Sequence, residues 1–553
     1  MNKPLLGSIV AATLLLGDAS AATMYERFET MEKEMVSLQS ELETLRAEKA
    51  AAEEAAAKAA EEEADEPEDD EEGEEDDEAE DGEDEEEEED SIEDIIEELE
   101  ESVHDINRAT AGNHLKFSVD FRTTYDAVNY EMADGTRAEN NDIFTNRLWL
   151  NMNWAANENM SFTGQLAYNK MYGARFGDTG PYSSFDTFDW FTSTNPSSDG
   201  NVRVKSAYWF YRNDTFLGGD TPWTLSIGRR PSTNGHLINF RDNDPAASPS
   251  GHTINVEFDG VSSKFSFEKL TGVEGMYIKF CGGQGSTNAD EKFSPTPAAH
   301  NFDYVTDGFN PTGNGAIKPI HMAGLIFVPY DNGQFSIGTQ FTGASNMPGQ
   351  NFDGNPASPS FGAMTGLTPV GDLYTGTMYM MLNGIGDEWT DFLDDTTFFV
   401  SGAATRTNPD DGLDQFGNKI AMLGSTEMET GHSYWAGLNM PSLFSEEGRF
   451  GLEYNHGSKY WRPITYAEDT LIGSKIAARG DAYEIYFTEP LLEEAFSLQV
   501  RYTYIDYEYS GSNGFFGNVS GTPLTMDEAV AFGQGGNVVD VAQDLRVYLR
   551  YQF

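Results

Sequence analysis

From Asn113 to the end of the chain, apolar and polar residues alternate with a period of two, the pattern of strands with one apolar face. Leu115, Phe117, Val119 and Phe121 alternate with Lys116, Ser118, Asp120 and Arg122 at the start. Leu545, Val547, Leu549, Tyr551 and Phe553 alternate with Arg546, Tyr548, Arg550 and Gln552 at the finish. Sixteen strands are predicted, near 114–126, 143–154, 160–173, 201–212, 222–230, 252–267, 276–283, 318–329, 334–344, 372–383, 396–407, 432–441, 449–460, 479–489, 495–507 and 538–553. Connections after the odd strands are mostly long and rich in Gly, Asn, Asp, Ser and Pro, such as Ala127 to Asp142, Ala174 to Asn201 and Gln284 to Ile317. Those after the even strands are mostly short: Ala155 to Asn159, Tyr330 to Gly333, Pro490 to Glu494. An even strand number with this alternation predicts an all-β fold, a transmembrane antiparallel β-barrel over residues 113–553.

The first hundred residues follow other periods. Residues 1–21 join a basic head, Met1-Asn2-Lys3, to the apolar stretch Pro4 to Leu16 and the small-residue site Ala19-Ser20-Ala21. That predicts a cleaved signal peptide, its apolar stretch too short to span a bilayer. Within 22–60, Phe28, Met31, Met35, Leu38, Leu42 and Leu45 continue a spacing of four and three begun at Met24. Such an a/d seam predicts a self-associating coiled coil in preference to a lone helix. In 61–90, 25 of 30 residues are acidic and Pro67, Gly73 and Gly82 interrupt them, so a disordered acidic spacer is expected. The spacing of a calcium loop is missing, and no metal site is assigned. Over 91–108, Ile92, Ile95, Ile96, Leu99, Val103 and Ile106 share one face of a short amphipathic helix, which needs an apolar partner.

Charge and chemistry narrow the function classes. The net charge is −60, but residues 61–101 alone carry 31 acidic and no basic side chains. Residues 113–553 carry 27 Lys and Arg against 52 Asp and Glu. About half of the charge thus belongs to one segment, and the acidic balance argues against nucleic acid as a partner. A single cysteine, Cys281, permits no internal disulfide, and export without disulfides points to a Gram-negative envelope. The eight histidines show no metal-ligand spacing, and His-Glu-x-x-His, Gly-x-Ser-x-Gly and Cys-x-x-Cys are missing. The expectation is no enzyme, no metal and no cofactor; the neighbours His114/Ser118 and His432/Ser433 have no motif support.

Aromatic residues near strand ends, Trp154, Tyr168, Tyr208, Trp223, Tyr330, Tyr460, Trp461 and Tyr504, suggest the girdles of a membrane barrel. The final strand ends on Tyr551-Gln552-Phe553, which resembles the C-terminal signature that the outer-membrane assembly machinery recognises, with Phe553 as its last residue. With that terminus and the strand end Leu225-Ser226-Ile227-Gly228-Arg229-Arg230-Pro231-Ser232, the chain resembles outer-membrane porin-like barrels that carry an N-terminal coiled coil, relatives of the carbohydrate- and phosphate-type trimeric porins. The resemblance implies a homotrimer in outer-membrane lipid with its coiled coil in the periplasm, and passive diffusion of small hydrophilic solutes or ions. It also implies an inward-folded third long loop, here Pro231 to Gly251, with Arg241, Asp242 and Asp244 at the constriction. A lysine cluster of the phosphate-selective kind is not visible.

If each apolar register faces lipid, Lys116, Asp120 and Arg122, Arg147, Arg501, and Arg546 and Arg550 point into the lumen from neighbouring strands. Arg203, Lys205 and Arg230 extend that wall, and Cys281 falls on the lumen side beside Lys279. Two readings stay open: a basic wall facing an acidic loop that orients solutes and favours anions, or arginines that satisfy neighbouring carboxylates and stiffen the barrel. A competing class is a barrel acting as a sheath for an electron-carrying partner, or as an adhesin through its loops.

Overall fold

A computed structural model describes residues 116–172, 202–286, 319–352, 364–386, 389–414, 417–445, 447–465, 468–492, 495–512 and 521–553. These lie in the second of two units, His114–Phe553. The expected signal peptide, coiled-coil seam, acidic spacer and amphipathic helix lie outside the described residues.

Sixteen antiparallel strands form one closed sheet. They are β1 (Lys116–Met132), β2 (Arg137–Ala155), β3 (Met160–Met171), β4 (Val202–Asn213), β5 (Trp223–Ser232), β6 (Ile254–Ser266), β7 (Tyr277–Ser286) and β8 (Ile320–Asp331). There follow β9 (Phe335–Phe352), β10 (Met364–Asn383), β11 (Thr397–Pro409), β12 (Thr430–Pro441), β13 (Arg449–Gly457), β14 (Gly480–Leu492), β15 (Phe496–Tyr507) and β16 (Val539–Gln552). Each pairs with its neighbours in sequence, and β16 returns to β1 with Arg550 opposite Arg122 and Arg546 opposite Asp126. Closure leaves this sheet without a free edge strand among the described residues. Phe553 completes the seam: its N–H donates to Val119 O at 2.9 Å and its carbonyl accepts from Val119 N at 2.7 Å.

Alternation of burial follows alternation of sequence. Along β1, Asp120, Arg122, Thr124 and Asp126 are buried, while Phe117 and Phe121 are exposed. Phe280, Phe341, Val500, Leu545 and Leu549 are likewise exposed, so the outer face is apolar, as lipid requires. All sixteen expected strands are present; β9 and β10 run past their expected limits at 344 and 372, and two further differences bear on the interior. No long loop separates β1 from β2; both run on to a turn at 133–136, because Val128 and Ile143 are buried against Ile472, Ile505 and Ala542. Gly135, at φ +78°, and Asp134, whose Oδ1 accepts from Thr136 N at 3.0 Å, close that turn. The assumption that apolar residues face outward also fails locally. Val256, Phe258, Met322 and Leu373 are buried in a cluster with Ile464.

Candidate functional site in the barrel lumen

Two connections on the same rim turn into the barrel. The first, residues 233–253, joins β5 to β6 and carries one turn of helix, α1 (Asn239–Asp242), ended by Asn243 at φ 52°. Its apolar residues Leu237 and Ile238 pack with Tyr379, Phe399, Trp435 and Ile476. Gly251 allows this approach, since a Cβ there would stand 2.5 Å from the Ile238 side chain. The segment is tied to opposite walls. Ser250 N donates to Gln340 Oε1 at 2.8 Å on β9, while on β16 the Tyr548 hydroxyl donates to Asp242 Oδ1 at 3.1 Å and Arg550 Nη1 to Asp242 O at 3.0 Å. His252 bridges two serines, Nδ1 to Ser401 Oγ at 2.7 Å and Nε2 to Ser433 Oγ at 2.9 Å, between the rings of Trp435 and Trp461. Burial pushes its imidazole down to about 3 and that of His236 down to about 4, so both are neutral.

The second segment, residues 458–479, joins β13 to β14 and is described over 458–465 and 468–479. Ile464 and Thr465 pair in parallel with Ile254 and Asn255 at the head of β6. Trp461 Nε1 donates to Ile476 O at 2.7 Å, and Arg479 Nε donates to Trp461 O at 3.0 Å. Glu468 and Asp469 both adopt the left-handed region, at φ 49° and 60°, a strained backbone that surrounding contacts must hold.

Ion pairs supply that hold. On the wall of β14–β16, β1 and β2, arginines face one another in register: Arg501 opposite Arg546, and Arg122 opposite both Arg550 and Arg147. Like charges so placed repel. Carboxylates of the wall and of both segments lie between them. Asp469 stands 2.6 Å from both Arg122 and Arg147, and Asp120 stands 3.2 Å from Arg147 and 2.5 Å from Arg550. Asp244 reaches Arg550 at 2.8 Å, and Asp126 reaches Arg546 at 2.6 Å. Arg241 of the first segment meets Glu468 of the second at 3.5 Å, Asp242 at 3.8 Å and Glu484 of β14 at 3.9 Å. Lys475 is shared by Glu453, at 2.7 Å, and Glu484. Burial works to raise the Asp469 carboxyl, but Arg122 and Arg147 outweigh it and hold the group below its usual range. Asp242 is held down in the same way by Arg241 and Arg501.

A protein-family model described as "Protein of unknown function (DUF3373)" matches residues 137–553. The chain belongs to this family. No curated protein matches it. Among solved structures it is similar to Salmonella typhi OmpF in complex with daunomycin, at 11% identity over 80% of this chain and 99% of that one, with a TM-score of 0.40. It is also similar to the trimer form of OmpT, an outer membrane protein of Vibrio cholerae, at 12% identity over 79% of this chain and 99% of that one, with a TM-score of 0.37. The barrel of this DUF3373 member is read from its own strand pairing, which is of outer-membrane type.

Within that barrel, Asp120, Arg122, Arg147, Arg501, Arg546 and Arg550 come together as one buried cluster with Asp242 and Asp244. Lys116 stands apart, exposed at the start of β1. Arg203 is half-buried at the start of β4. Lys205 is buried, its Nζ donating to Thr233 Oγ1 at 2.7 Å and 3.4 Å from Glu257. Arg230 lies over the Tyr208 ring, 4.3 Å from its centroid. Two aromatics assigned to membrane girdles are elsewhere: Trp461 is fully buried in the second segment, and Tyr208 packs under Arg230. Ser433, paired in sequence with His432, bonds instead to His252. The second segment was not anticipated, although the run from Trp461 to Arg479 mixes apolar and charged residues in a way that suits a buried connection and not a solvated one.

Proposed function

We propose that this protein is an outer-membrane channel for small hydrophilic solutes whose bore is narrowed by two segments of its own chain. The observation that carries the reading is that the inner cations Arg122, Arg147, Arg501 and Arg546 are almost fully buried, covered by residues 233–253 and 458–479. A wide, freely wetted lumen would leave them exposed. The reading therefore replaces a general water-filled pore with a restrictive one, set in outer-membrane lipid as a homotrimer, with no catalytic role and no cofactor. A sheath for a partner polypeptide needs the interior that these segments occupy, so the channel is the better fit.

Solute uptake tests it. Proteoliposomes containing the purified full chain are expected to admit ions and the smallest polar solutes and to exclude disaccharides. Rapid disaccharide entry would show a wide pore, and impermeability to ions would end the channel reading.

A further inference from the structure

The inner wall of β5–β7 differs from the clamped one. Arg230, Lys264 and Lys279 come from these three strands, and Lys264 and Lys279 are direct partners across β6 and β7. Two ammonium groups side by side repel. Asp331, at the end of β8, acts electrostatically on Lys264, so the charge of this wall is partly offset at that end. The Arg230 guanidinium lies over the Tyr208 ring at 4.3 Å and Lys264 Nζ over the Tyr277 ring at 4.0 Å, contacts that steady a cation while leaving its other side available. Arg230 and Lys279 line a cavity in which water centres have about 30 Å³, together with Ser262, Cys281, Gln340 and Thr342. Its lining among the described residues contains no carboxylate. Arg230 Nη1 is buried there without a hydrogen-bond partner among the described residues.

From this geometry we infer that the β5–β7 wall holds a binding site for a small inorganic anion, with Arg230 and Lys279 as its direct donors and Lys264 extending it toward the turn rim. Both donors are cationic and present N–H groups only, so a halide or small oxyanion satisfies them and a metal cation does not. The cavity has room for roughly two waters at ~10–15 Å³ each, which suits an inorganic ion and excludes a sugar or nucleotide. The site rests on the channel reading only for its place on a transport route; binding itself does not require conduction.

The test is the chloride-35 NMR line width of the detergent-solubilised full chain in sodium chloride. Excess broadening is expected, displaced by inorganic sulfate and at least halved in Arg230→Gln/Lys279→Gln. Lys269→Gln, at an exposed lysine paired with Asp220, should leave it unchanged. Folding is checked by heat-modifiable mobility, and if the double variant misassembles, Lys264→Gln alone should still reduce the broadening. Unchanged broadening in an assembled variant would overturn the site. Broadening without ion current in bilayers would leave the site standing and remove the channel reading; current without broadening would do the reverse.

Discussion

The two inner walls of this barrel use the same inward register for cations and reach opposite ends. On β14–β16, β1 and β2, Arg122, Arg147, Arg546 and Arg550 are paired with Asp120, Asp126, Asp244 and Asp469, two of them delivered by inserted chain, while Arg501 has Glu484 at 3.9 Å and Asp242 at 4.0 Å and no hydrogen bond among the described residues. On β5–β7, Arg230 and Lys264 rest on tyrosine rings, and Lys279 shares with Arg230 a cavity whose described lining has no carboxylate. Inward cations alone therefore do not define an anion path. What the inserted segments bring to them decides between structure and solute binding.

The largest break in this contrast should come from Asp469→Ala. It leaves Arg122 and Arg147 buried without the carboxylate that stands 2.6 Å from each, and losing one member of a buried pair costs roughly 3–5 kcal/mol. The guanidinium midpoint of the purified barrel should fall accordingly, whereas Arg230→Gln should shift it far less.

Acid should separate the two histidines from the clamp. A histidine whose folded pKa is lowered favours folding fully above its unfolded value, near 6.5, and loses that contribution as pH falls toward the folded value. For His252 and His236 the window runs from about 6.5 down to about 3 and about 4. Asp469 and Asp242 are depressed carboxyls, whose contribution is complete above the unfolded value near 3.9 and fades only below it. Each histidine should thus subtract up to ~1.4 kcal/mol per unit as pH falls from 6.5 to 4.5, opposed by Asp244 and Glu468, whose carboxyls burial raises and which favour the fold as pH falls, and His252→Gln should remove its share of the loss in thermal melts. An equal slope in that variant would show that His252 is not the group responding.

The smallest effect belongs to Lys116→Gln. This lysine is exposed at the strand start, and its loss should change stability by less than about 0.5 kcal/mol and leave the bilayer reversal potential unmoved.

Much of the barrel was legible because strand period and turn composition are local properties of sequence. Leu115 to Arg122 and Leu545 to Phe553 declare their faces without reference to anything distant. The same parity placed Arg122, Arg147, Arg501, Arg546 and Arg550 on one wall, and the inward position of Arg241, Asp242 and Asp244 followed from a resemblance. Their neutralisation was not legible, since Arg147 and Asp469 are 322 residues apart and meet only through the fold of 458–479. Inward apolar residues such as Val256 and Phe258 were hidden for a related reason. Their packing partner Ile464 belongs to an inserted segment, and parity alone assigns apolar residues to lipid.

Single-channel conductance, compared between the native chain and Asp242→Asn/Asp469→Asn, measures the inserted segments' hold on the bore most directly. The account predicts small, resolved steps in the native protein and steps several-fold larger in an assembled variant, as the segments loosen from Arg122, Arg147 and Arg501. Large steps already present in the native chain and unchanged by the substitutions would contradict it.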